Sequence, residues 1–244
     1  MLRNKPFISC LSMILGLVIV SHPLLTLAQE YRPPKRGLPG RREGAGTRGT
    51  CMDGQKFLMP LTPVDGFSAT TSNSPTFFWY VPPTSAQMAE FALLDSNDSQ
   101  LYKTTIALPR TAGIVSFTVP EKVTNSVLKT SQDFYWQFTV ICDPSNPSRN
   151  PFVEGVVQRI QPGKELVSQL KKAPSAYSRA TIYASSGIWQ DAIATLAQQR
   201  CLNPKDSSSL ASWVALLQSV QLQEFAAEPL TASCSVLSEG RGGK

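Results

Sequence analysis

Two periods of apolar residues divide the chain near residue 163. Before it, apolar positions alternate with polar ones or form short runs between Pro, Asn and Gly breaks. The segments are "FLMPLTP" (57–63), "TFFWYVP" (76–82), "AEFALLD" (89–95), "LYKTTIAL" (101–108), "GIVSFTVP" (113–120), "DFYWQFTVICD" (133–143) and "VEGVVQRI" (153–160). Alternation places every second side chain on one face, so these read as short strands. In the sixth, Phe134, Trp136, Phe138, Val140 and Cys142 share the core face. The run Phe77-Phe78-Trp79-Tyr80 is apolar on both faces, which predicts a central strand covered on each side. The pattern predicts an immunoglobulin-like antiparallel β-sandwich over 51–162.

From Gly163 the period changes to that of a helix. Leu166 and Leu170 mark a first helix, and "SAYSRATIYASS" (175–186) a second that ends at Gly187. In "IWQDAIATLAQQR" (188–200), Ile188, Trp189, Ala192, Ile193, Leu196 and Ala197 fall on one stripe, and Asn203-Pro204 breaks it. Asp206 or Ser207 caps a last helix carrying Leu210, Trp213, Val214 and Leu217. Tyr183, Gly187, Ala192, Leu196 and Pro204 are spaced like the second half of a tetratricopeptide repeat. Ala176 stands where that repeat carries Trp, and no second copy follows, so one repeat-like hairpin is expected rather than a solenoid. The fold class is therefore α+β, mainly β, with a small helical domain over 163–230 packed on the sandwich. Residues 231–244 read as a loose tail.

The start of the chain is an address. Arg3 and Lys5 precede an apolar stretch from Ile8 to Val20, and Thr26-Leu27-Ala28 is a small-residue exit. This order is a secretory signal peptide, residues 1–28, cut after Ala28. No stable membrane span is expected after the cut. The single histidine, His22, leaves with it, and imidazole is the commonest general base and metal ligand. Residues 29–50 are rich in Pro, Gly and Arg without apolar period, and read as a flexible basic arm. That arm carries a net +4, whereas residues 51–244 balance 15 basic against 15 acidic side chains. A neutral body argues against nucleic-acid binding.

Four cysteines remain after the leader: Cys51, Cys142, Cys201 and Cys234. An even count in an exported chain predicts disulfides. Three full pairings are open, of which Cys51–Cys142 with Cys201–Cys234 is preferred. The absence of a C-x-x-C motif argues against redox catalysis and a zinc ribbon.

The stretches "GRREGAGTRGTC" (40–51), "PTFFWYVPPTS" (75–85), "FALLD" (91–95), "GIVSFTVP" (113–120), "FYWQFTVICDP" (134–144), "VEGVVQRI" (153–160) and "YASSGIWQDAIATLAQQR" (183–200) together resemble the exported cyanobacterial family called domain of unknown function 928. The resemblance spans most of residues 40–222. It implies a periplasmic or extracellular bacterial setting and carries no catalytic residue with it. It supports Cys51 with Cys142, since both sit in its motifs. Cys201 and Cys234 lie at or beyond the motif edges, which leaves their pairing open.

Candidate chemistry is sparse. Without a mature histidine, Ser-His and Cys-His pairs are excluded. Asp95-Ser96-Asn97-Asp98-Ser99 lacks the Gly and closing Glu of a calcium loop and reads as a polar hairpin turn. "GAGTRG" (44–49) follows no strand, so it is no phosphate loop. Asp143 with Glu154 is a conceivable carboxylate pair, and Asp191 reads as a solvated helix residue. The expectation is a non-enzymatic binding or assembly module of the cell envelope, without cofactor or metal, whose partner is another envelope protein or a wall polymer. The alternatives are a glycan- or envelope-polymer-binding domain using surface aromatics and, third, a carboxylate-based hydrolase.

Overall fold

Alternation becomes strand wherever both neighbours offer an apolar face. A computed structural model describes residues 30–34, 42, 51–230 and 233–234. The signal peptide and its cut after Ala28, "GAGTRG" and residues 235–244 lie outside the described residues. The strands are β1 (Met59–Pro60), β2 (Phe67–Thr70), β3 (Thr76–Val81), β4 (Met88–Leu94), β5 (Gln100–Ala107), β6 (Gly113–Thr118), β7 (Asp133–Val140) and β8 (Phe152–Arg159). The helices are α1 (Glu121–Val127), α2 (Lys164–Lys172), α3 (Ala176–Ser185), α4 (Trp189–Leu202) and α5 (Ser207–Gln218). The chain is thus mixed and mainly β, with two sheets ordered β1-β3-β6 and β2-β8-β7-β4-β5.

Three layers result. The two sheets enclose one core, in which Phe77, Trp79 and Val81 of β3 meet Phe91 and Leu93 of β4 and Trp136 and Phe138 of β7. Trp79 stacks on Phe138 with ring centroids 4.2 Å apart. The other face of the small sheet presents Phe78, Tyr80 and Ile114 to Trp189, Ile193, Trp213 and Leu217 of the helices. All six residues of β3 are therefore buried, as an apolar run on both faces predicts. The helices share their core with the small sheet rather than forming one of their own.

One strand departs from the antiparallel expectation. β2 pairs with β8 in parallel, Phe67 opposite Val156 and Thr70 opposite Arg159. The predicted first strand, 57–63, shortens to β1, which pairs antiparallel with β3, and the chain then crosses to the larger sheet as β2, outside the predicted segments. The crossing is a turn closed by Gly66 N–H donating to the Pro63 carbonyl at 2.9 Å, with Gly66 at φ 71°. α1 was not anticipated. It is short, and it covers one end of the sandwich by packing Val123 and Val127 on that core.

The reading of residues 29–50 as a flexible arm does not hold for its described residues. Tyr31 is buried and meets Trp189 edge-on, ring centroids 5.2 Å apart. Its N–H donates to Ser219 Oγ at 3.2 Å, and Arg32 N–H donates to the Ala184 carbonyl at 3.1 Å. Arg42 is also buried, and its guanidinium donates to the carbonyls of Thr62, Val220 and Gln221. A Pro/Arg-rich composition conceals these anchors, because a single aromatic ring and a guanidinium fork need no apolar period to dock. The tail reading fails likewise at Ser233, which is buried and whose hydroxyl donates to the Ile114 carbonyl at 2.9 Å.

Candidate functional site

Gly187 controls the geometry from which the site is built. Its φ of 74° turns the chain sharply between α3 and α4, and Ile188 N–H donates to the Tyr183 carbonyl at 2.9 Å. The first turn of α4 is thereby driven into the seam beside the small sheet. Three consecutive side chains then tie it down. Trp189 Nε1 donates to the Leu61 carbonyl at 2.7 Å, and Gln190 Nε2 to the Thr76 carbonyl at 2.9 Å. The Asp191 carboxylate accepts from Thr70 Oγ1 at 3.0 Å, from Thr71 N–H at 2.6 Å and from Thr71 Oγ1 at 2.9 Å.

Asp191 is therefore not a solvated helix residue. It is 9% exposed, and its two oxygens are engaged by the last residue of β2 and the residue after it. Burial pushes its carboxyl above the usual aspartate range. The hydrogen bonds from Thr71 and Thr70 act the other way and offset only part of that. Tyr183 stands near it, and its phenol is pushed up first by burial and then by the negative charge of Asp191.

Above this carboxylate a cleft of about 470 Å³ opens to solvent. The loop and sheet side contributes Thr71, Ser72, Ser74, Thr76 and Thr118, and the hairpin side Tyr183, Asp191, Ala194, Thr195 and Gln198. The hydroxyls of Thr76 and Thr118 pair across β3 and β6 at 2.9 Å. Among the described residues no Lys, Arg, His or Cys lines it.

The predicted site residues lie elsewhere. Cys51 and Cys142 form a disulfide with Cα atoms 5.4 Å apart, beside the core between the sheets. Cys201 and Cys234 form a second with Cα atoms 5.3 Å apart, beside the helical core. Asp143 and Glu154 are not brought together. Glu154 sits opposite Gln137 inside β7, whereas Asp143 lies past that strand's end in the turn before β8. Asp95 closes the β4–β5 turn by accepting from the N–H groups of Asn97 and Ser99. The aromatic run of β3 is buried and forms no sugar-stacking surface. Among the described residues no three His, Cys, Asp or Glu side chains gather as metal ligands.

Asp191 and its hydroxyl neighbours carry no sequence signal as a site, because Thr71 lies 120 residues earlier in the chain. What fold and site define together is a two-sheet β-sandwich capped by a helical layer, with a polar cleft at the seam. The chain belongs to the family described as Domain of Unknown Function (DUF928), whose profile matches residues 43–230. That span contains both walls of the cleft. No curated protein matches the chain.

Proposed function

We propose that this protein is an exported, non-enzymatic binding or assembly module of the bacterial cell envelope, with the seam cleft as its ligand site. The observation that carries the reading is the state of Asp191. Among the described residues it is the one carboxylate that lines the cleft, and protein donors engage both of its oxygens. A group so engaged serves geometry better than proton transfer, and no second acid, imidazole or thiol of the described residues stands in the lining beside it to make a catalytic pair.

Export is supported by the n-region, apolar run and Ala28 exit, and by two disulfides, which persist in oxidising compartments. No helix among the described residues is long and apolar enough to cross a membrane. Strand order supports an immunoglobulin-like reading: β1-β3-β6 and β8-β7-β4-β5 follow the A-B-E and G-F-C-C′ pattern. Trp79 on Phe138 then occupies the inter-sheet place that antibody domains give to a cystine. The α3–Gly187–α4 turn and the buried Ala180 and Ala184 support a tetratricopeptide-like hairpin.

The test is a plugged cleft. Gln198→Trp fills it from the partly exposed face of α4. Purified variant and wild type are compared by co-sedimentation with native envelope fragments. Loss of association at unchanged circular dichroism and melting temperature is expected. Equal association of the two proteins overturns the assignment of the site.

A further inference from the structure

We infer that the cleft takes a neutral, polyhydroxylated ligand, a glycan segment, an inference that rests on its being the binding site. The chemistry of the lining narrows the ligand by elimination and by match. A phosphate or carboxylate ligand needs a cation or an array of free N–H donors, and among the described residues no Lys or Arg lines the cleft. A cationic ligand would draw on negative charge, yet the Asp191 carboxylate is already shared among three donors from Thr70 and Thr71, and no other carboxylate of the described residues lines the cleft. A wholly apolar ligand would strip water from the hydrogen-bonding capacity that the lining hydroxyls and the Gln198 amide still have free, and would put nothing in its place.

A glycan fits what remains. Each serine or threonine hydroxyl donates one hydrogen bond and accepts others, and rotates to suit. Sugar hydroxyls have the same dual character, so the two sets pair without either carrying charge. Ser72 and Ser74 offer hydroxyls from the loop, and Thr195 and Gln198 offer a hydroxyl and an amide from α4. Thr195 Oγ1 already donates to the Asp191 carbonyl at 2.6 Å, so toward the cleft it is an acceptor. Gln198 supplies both an N–H₂ and a carbonyl. Tyr183, partly buried against the helical core, adds an aromatic side chain to the lining. The volume, about 470 Å³, lies within the range of small-ligand clefts, about 300–1,000 Å³. The opening to solvent lets a polymer chain leave the site. The glycan reading thus rests on hydroxyls at the seam rather than on the buried aromatics of β3.

The experiment uses the full mature chain and three defined probes. Chitotetraose is a neutral N-acetylated amino-sugar chain, cellotetraose a plain hexose chain, and tetragalacturonate an anionic control. Saturation-transfer NMR detects contact and calorimetry gives Kd. Binding of at least one neutral probe is expected, and which one separates a wall-type glycan from a hexose polymer. Gln198→Leu and Thr195→Val, which keep size but remove polar atoms, should each raise Kd at least tenfold while the melting temperature stays within two degrees or so of wild type. Tighter binding of tetragalacturonate than of both neutral probes overturns the inference, as does neutral binding that survives both variants. If neither neutral probe binds while Gln198→Trp still abolishes envelope association, the glycan class is wrong and the binding site stands. If Gln198→Trp leaves that association intact, the site itself is wrong.

Discussion

Removing the ring of Tyr31 should destabilise a core most of which lies more than a hundred residues away. Tyr31 is 6% exposed, so Tyr31→Ala gives up nearly its whole side-chain burial. An aromatic side chain buries about 150–250 Å², and at about 25 cal/mol per Å² that is roughly 5 kcal/mol as an upper bound. Alanine retains part of that area, and a compact unfolded chain already hides some, which brings the expectation to about 3 kcal/mol. The edge-on contact with Trp189 is included in that figure. The backbone bonds of Tyr31 and Arg32 to Ser219 and Ala184 survive the substitution, so the strap should loosen rather than detach. For a chain of this size, 3 kcal/mol corresponds to roughly 6–12 °C in melting temperature. Urea unfolding and calorimetry measure it. Trp189, fully buried in the wild type, supplies a second readout, because its emission should shift to the red when its cover is removed. Tyr31→Phe, which keeps the ring, should stay within about 1 kcal/mol. A Tyr31→Ala protein within about 0.5 kcal/mol of wild type, with unshifted emission, would refute the docking of this segment.

Three further outcomes follow from the same geometry. Asp191 has its folded pKa above its unfolded value, so its contribution is fully present below the unfolded pKa, near 3.8, and is lost as pH rises through the folded one. The stability difference between wild type and Asp191→Asn should therefore shrink with rising pH in urea titrations. A difference that grows would mean that the threonine hydrogen bonds outweigh burial. Cys51 and Cys142 close a separation of 91 residues, and Cys201 and Cys234 one of 33. In the chain-entropy account, opening the first by Cys142→Ala should cost about 4–5 kcal/mol and the second by Cys234→Ala about 3–4, and the reverse order in denaturant midpoints would contradict it. A Cβ on Gly155 would stand 2.5 Å from Trp136 Cζ2 and 2.7 Å from the Gly66 carbonyl oxygen. Gly155→Ala should thus cost about 2–3 kcal/mol by calorimetry, and a neutral result would mean that the β2–β8 seam yields easily.

Local pattern alone determined where most of the β and helical elements lie. The apolar run of β3 announced burial on both faces, the alternation around Trp136 announced which face of β7 points inward, and Gly187 announced the turn between α3 and α4. Asp206 was legible as a cap, and it accepts from Ser208 N–H at 3.0 Å. These features are written within a few residues, at the period of strand or helix, so they survive without knowledge of the rest of the chain.

Tertiary structure decided what the polar residues do. Asp191, Thr70 and Thr71 are ordinary in their own segments and become a buried carboxylate site only when α4 meets the loop after β2. Tyr31 and Arg42 sit in a stretch whose composition reads as linker, yet Tyr31 lays its ring on Trp189 of α4 and its N–H on Ser219, and Arg42 sets its guanidinium on the carbonyls of Thr62, Val220 and Gln221. The parallel pairing of β2 arises because a four-residue strand has too little pattern to declare its partner. The common reason is physical. An apolar period records that a face must leave water, because hydrophobic burial is roughly proportional to area and indifferent to direction. A hydrogen bond needs a particular partner at a particular angle, and for Trp189 and Asp191 the partners lie more than a hundred residues away in the sequence, so only the folded chain supplies them.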